Sequence, residues 1–291
     1  MIVGEEIPER WLEEINSRFN QEDVPPIKRP WLALLEWSKT NGPIDFPSER
    51  AKKVFDWFTK NSKPGSQDIG AMFTGSFYFE GCFWPVWISI IYGFNFELYP
   101  FNYLKGMSDE IKARLRSIRE KKAQYAELFA DCLDYAYGYD DLIRVHHLNE
   151  FCLELLKSGD KELRATVILL HEHRPNSKAV ESARMATEMF LKSFLASRAG
   201  LTEAEARKKL GHNLQTIIQR CLDVEDHADL QKIHSNLNCF PEIHERYKGS
   251  ERSGTELWTG YSVAQFTGAT VTRLLSGRDT RSTIEYVGAK P

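Results

Sequence analysis

The chain has 291 residues, 42% of them hydrophobic and 27% charged, with a formal net charge of −3. That balance is the one found in globular domains, and it excludes a collagen-like, disulfide-rich or low-complexity chain. Residues 161–291 hold 19 Lys and Arg against 16 Asp and Glu, and the first 160 hold 19 against 25, so a mildly basic part follows an acidic one. A phosphate-bearing partner is therefore permitted but not required. Length favours two domains over one. No run of eighteen apolar residues exists, and Met1–Glu6 lacks a signal peptide's basic and apolar regions, so the reading is a cytoplasmic protein with no membrane partner. Five dispersed cysteines without a CxxC pair read as reduced core residues.

In chain order, residues 7–19 read as a short amphipathic helix with Pro8 in its first turn. A second helix covers 31–37, ended by Asn41-Gly42-Pro43, and a third covers 48–58. The stretch 61–66 is a loop. Residues 72–103 crowd Phe73, Phe77, Phe79, Trp84 and Trp87 among Gly75, Gly81, Pro85 and Gly93. This texture predicts one or two short strands around 83–92, or an irregular aromatic core filling the first domain. A ligand pocket lined by aromatics is the alternative.

Helix resumes at Ser108 and runs towards Leu133. The stretch Asp134–Asp141, with three tyrosines and three aspartates, reads as a capped turn because its spacing matches no calcium loop. Another amphipathic helix spans 145–156. Ser158-Gly159-Asp160 is the most economical boundary, giving a domain at 1–158 and a second at 159–291. In the second, helical periodicity marks 161–172, 177–198, 202–222, 228–238 and 256–276. Within it, Thr202-Glu203-Ala204-Glu205 is a capping box and Gly200 a stop signal. Five helices with short connections predict an up-and-down bundle, so the fold class is mainly α.

The central stretch is 177–195, where Val180, Ala183, Ala186, Phe190 and Phe194 recur at three- and four-residue steps. Glu188 and Lys192 stand at i and i+4 within it. As an ordinary surface pair they contribute about 0.3–0.5 kcal/mol; buried, they would form a polar patch in the bundle. Gly211-His212-Asn213-Leu214 follows about twenty residues on. His212 is either an acid–base residue or a histidine at a helix start beside Asn213. His171-Glu172-His173 is no metal site, because histidines two apart on a helix point about 200° apart. His146-His147 fails likewise, and no phosphate-cradling glycine loop or GxSxG elbow occurs. The reading calls for no metal and no cofactor.

Residues 161–281 resemble the HEPN domain family. The features that carry the resemblance are Ala183–Lys192 with its Glu188…Leu191-Lys192, then Gly211–Leu214, then Glu245-Arg246-Tyr247 before the last helix. The resemblance implies an all-helical module tied to RNA or nucleotides, in a defence or stress setting, pairing as a homodimer with the last helix as a candidate surface. Many members are metal-independent ribonucleases in which an arginine neutralises the scissile phosphate and a histidine, after four to six intervening residues, moves protons. Arg164/His171, Arg207/His212 and Arg220/His227 have that spacing, but none opens the late helix. Arg246 lies in that region, and no histidine follows it. The reading therefore prefers a non-catalytic RNA- or nucleotide-binding module. Glu188, Lys192, Arg207, Asn213 and Tyr247 are its binding candidates; Tyr247 would stack a base and Arg246 hold a phosphate. A ribonuclease using His212 with Arg246 or Arg207 is the enzymatic alternative. A protein-interaction scaffold built on the aromatic segment is the third.

Overall fold

The computed structural model describes residues 7–42, 44, 48–63, 71–89, 98–144, 148–241 and 251–283. Among them the chain is mainly α, with eleven α-helices and one two-stranded sheet. It divides into two compact units, 1–70 and 71–291. The expected boundary at 158/159 is thus corrected. Ser158, Gly159 and Asp160 lie inside one uninterrupted helix, α6.

The first unit holds α1 (Glu9–Gln21), α2 (Arg29–Asn41) and α3 (Glu49–Lys60). Its core is Leu12, Ile15 and Phe19 from α1, Ala33, Leu34 and Trp37 from α2, and Ala51, Val54 and Phe58 from α3. Each set follows the 3.6-residue period, which explains why these helices were legible. Arg29 closes the α1–α2 connection, its Nε donating to the Val24 carbonyl at 2.8 Å.

The second unit opens with an antiparallel hairpin, β1 (Phe73–Phe79) and β2 (Cys82–Ile88), in register from Phe73 opposite Ile88 to Phe79 opposite Cys82. Glu80 and Gly81 make its two-residue turn with φ of 50° and 79°, the positive values a tight hairpin demands. Phe73, Phe77 and Phe79 are buried in the core of this unit. The aromatic segment therefore serves the second unit, where the sequence reading placed it in the first; its members at 90–97 lie outside the described residues.

Helices α4 (Asp109–Ser117), α5 (Arg119–Arg144), α6 (Glu150–Leu170) and α7 (Ala179–Arg198) follow. Then come the single turn α8 (Glu203–Glu205), continued by a π-helical turn at Ala206–Leu210, and α9 (Leu214–Val224), α10 (Ala228–Asn236) and α11 (Gly254–Ser276). Helices α5, α6, α7 and α11 pack together as a helical bundle, with α9 laid on α7 and α10 on α9 and α11.

Two expectations change here. The capped turn at 134–141 is the interior of α5, because Asp131 and Asp134 are buried against Arg273 of α11, at 2.9 and 3.1 Å. The last helix, the expected pairing surface, is largely covered by its own unit. From Leu257 to Arg273 nearly every residue of α11 is buried within its own unit, and only Thr255 and Glu256 are exposed. Among the described residues, no helix is long and apolar enough to cross a membrane.

Candidate functional site

The sequence stretch 202–222 reads as one helix, yet the chain breaks at Gly211. That residue adopts φ 54° and ψ −128°, a conformation closed to most side chains, and α9 starts afresh behind it. Asn213 caps the new start, its Oδ1 accepting the Thr216 amide. A break leaves backbone carbonyls without helical donors. Two long cations on α7 supply them: Lys192 Nζ donates to the Gly211 carbonyl at 2.6 Å and Arg184 Nη2 to the His212 carbonyl at 2.7 Å.

Between those cations sits Glu188, fully buried. Its Oε1 accepts from Lys192 Nζ at 2.7 Å, and Arg184 Nη1 lies 3.7 Å from Oε2. The same carboxylate meets His212 Nδ1, at 2.9 Å from Oε1 and 3.2 Å from Oε2. A carboxylate accepts, so Nδ1 carries the hydrogen and Nε2 is left as the open nitrogen of a ring that is 56% exposed. Arg184, Glu188 and Lys192 stand one turn apart on one face of α7, which is why a single helix presents all three to one loop.

His212 opens onto a cleft of about 740 Å³. Leu210, Leu237 and Phe240 supply its apolar lining, and Arg184, Asn213, Gln215 and Asn238 its polar groups. No Asp or Glu lines it among the described residues. Among the described residues the underlying cluster has one carboxylate for two permanent cations, so the cleft floor carries net positive charge. The amino end of α9 adds its free first-turn amides and the positive end of its dipole.

Of the candidates, the structure brings together Glu188, Lys192, His212 and Asn213. Arg207 stands apart, with its side chain 80% exposed and paired with Glu203 at 2.9 Å. Arg246 and Tyr247 lie outside the described residues. Two of the other spaced pairs are engaged elsewhere: Arg164 holds Asp160 and the Met72 carbonyl, and His227 caps α10 through the Asp229 amide. Arg184 is the residue that sequence reasoning missed. Its signal was available, since the four-residue step from Lys192 to Glu188 continues back to it. Among the described residues no group of three or more His, Cys, Asp or Glu side chains is placed to hold a metal ion.

Compared with known proteins, the chain matches no family model, no curated protein and no solved structure.

Proposed function

We propose that the second unit is a HEPN-like module that binds the phosphate of RNA or a nucleotide in the cleft at His212. The observation that carries this is the charge imbalance. Two permanent cations face one buried carboxylate, and among the described residues the lining adds an imidazole and a helix start but no acid. An anion entering there gains fixed donors and displaces no internal ion pair. The Ala183–Lys192 and Gly211–Leu214 stretches that carry the HEPN resemblance are the two that meet in this site.

One feature favours the enzymatic reading as second choice. Glu188 fixes His212 by Nδ1 and leaves Nε2 free at the cleft, the orientation in which a histidine exchanges a proton with a substrate hydroxyl. The arginine beside it would be Arg184, in place of Arg207.

The deciding experiment incubates the purified protein with single-stranded and hairpin RNA in EDTA, reading both mobility shift and cleavage. His212→Ala and Arg246→Ala variants run alongside. The expected result is a salt-dependent shift without cutting, weakened in His212→Ala. Cleavage lost in His212→Ala replaces the binding-only reading with the ribonuclease. RNA neither shifted nor cut overturns both.

A further inference from the structure

We propose that the cleft at His212 is one end of a longer track along α9, with a second phosphate subsite at Arg220, so that the ligand is a single-stranded oligonucleotide rather than a mononucleotide. This rests on the phosphate-binding reading of the cleft and extends it.

The track is a second groove, of about 610 Å³, beside the first. The two share Leu210 and Gln215, so they meet at the amino-terminal half of α9. The second groove is lined by Lys209, Arg220 and His234 as its cations or potential cations, with Thr216 and Gln219 between. Its one carboxylate among the described residues is Asp223, which accepts from Gln219 Nε2 at 3.1 Å.

Arg220 is the decisive residue. It is half-buried, yet among the described residues it makes no ion pair and its guanidinium has no hydrogen-bond acceptor. Other arginines of the unit are engaged: Arg114 with Glu80, Arg144 with Asp140, Arg164 with Asp160, Arg273 with Asp131 and Arg278 with Asp141. A guanidinium presents five donors, and one that is partly withdrawn from water gains most from an external anion it can grip in bidentate fashion. Lys209 is held by Glu205 at 2.8 Å and remains largely exposed, which leaves it free to add long-range attraction.

Spacing selects the ligand. His212 stands two residues ahead of α9, and the helical rise from Leu214 to Arg220 alone is about 9 Å at 1.5 Å per residue. A mononucleotide cannot place phosphates at both ends of that distance. One strand of duplex DNA spaces its phosphates by about 3.4 Å along the axis, so several consecutive nucleotides are needed to cover it. The uncharged side chains between, Gln215, Thr216 and Gln219, suit sugar hydroxyls and base edges.

The test measures binding of a fluorescent eight-nucleotide single-stranded RNA and of fluorescent AMP over a range of salt, for the whole protein and for Arg220→Gln, His234→Gln and His212→Ala. All three side chains reach the surface, and circular dichroism confirms folding of each variant. The expected outcome is that the octamer binds at least tenfold more tightly than AMP. Arg220→Gln then lowers octamer affinity about fivefold and the log–log salt slope by about 0.7 to 1, leaving AMP unchanged. His212→Ala weakens both ligands. An octamer no tighter than AMP, or indifferent to Arg220→Gln, overturns the track while leaving the cleft intact. Octamer binding that depends on Arg220 but not on His212 overturns the continuous track and the cleft reading together. So does the failure of both ligands to bind. A glutamate octapeptide that displaces the RNA at equal concentration overturns the nucleic-acid assignment.

Discussion

Glu188 shows how far burial changes the weight of a pair that is ordinary on paper. At the surface its i,i+4 partnership with Lys192 would contribute a few tenths of a kcal/mol. Here the carboxylate is fully buried, and the Lys192 and Arg184 side chains are only 7% and 9% exposed. Removing the carboxylate leaves two buried cations without their counter-charge. Glu188→Ala is therefore expected to cost about 3–5 kcal/mol, read by urea denaturation of the second unit. A loss below about 1 kcal/mol would mean that the backbone carbonyls of Gly211 and His212 alone suffice. Asp131 gives the pH counterpart. Burial pushes its carboxyl up to about 6, with Asp134 adding to the rise and Arg281 and Arg273 opposing it. The folded chain thus holds this proton more tightly than the unfolded chain. That contribution is full below the unfolded value near 4 and is lost as pH rises through about 6. Two pKa units correspond to about 3 kcal/mol. Asp131→Asn removes the dependence, so between about pH 4 and 7 its stability relative to the natural protein should move in its favour by about that amount. Parallel pH profiles of the two proteins would refute it.

At the scale of the element, two glycines explain where sequence reasoning about helices held and where it failed. Gly159 looked like a boundary, yet it sits inside α6, where a Cβ would come 2.7 Å from Cε1 of the buried Phe190 ring on α7. The glycine is there for close helix approach. Gly159→Ala should accordingly destabilise by about 1–3 kcal/mol despite alanine's better helix propensity, a sign reversal that thermal unfolding can read. Gly211 is the opposite case. It sits within a stretch that reads as one helix, and a Cβ there would meet nothing within 4 Å. Its cost lies in the backbone, since φ 54° with ψ −128° is strained for any L side chain. Gly211→Ala should cost about 1–3 kcal/mol and weaken RNA binding as well, because the loop it shapes carries His212. Unchanged binding by Gly211→Ala would detach the loop from function. Sequence alone gives both residues the same name and propensity; the Phe190 ring on α7 distinguishes the first and its own backbone conformation the second.

For the whole molecule, separate cores imply separate cooperative units. Phe58 is fully buried in the core of the first unit. Phe58→Ala should lower the stability of that unit by about 3–5 kcal/mol, leaving the calorimetric transition of the second unit and its RNA binding in place. A shift of both transitions would show that the two units unfold as one.

The sequence by itself determined what depends on near neighbours. The three- and four-residue periodicities placed α1 to α3, α7 and α11 within a few residues, and the helix start at Ser108 and the capping box at Thr202 are present as read. The mainly α class followed from those periods. It also picked out Glu188, Lys192, His212 and Asn213, because their types and spacing carry a resemblance. The tertiary structure alone decided which charges are buried and against what. Arg273 meets Asp131 across 142 positions, which turned an apparent acidic turn into helix interior. His212 meets Glu188 across 24, which oriented a ring whose role the sequence left open. Periodicity reports one helix face at a time, whereas desolvation and ion pairing depend on every element that packs against that face.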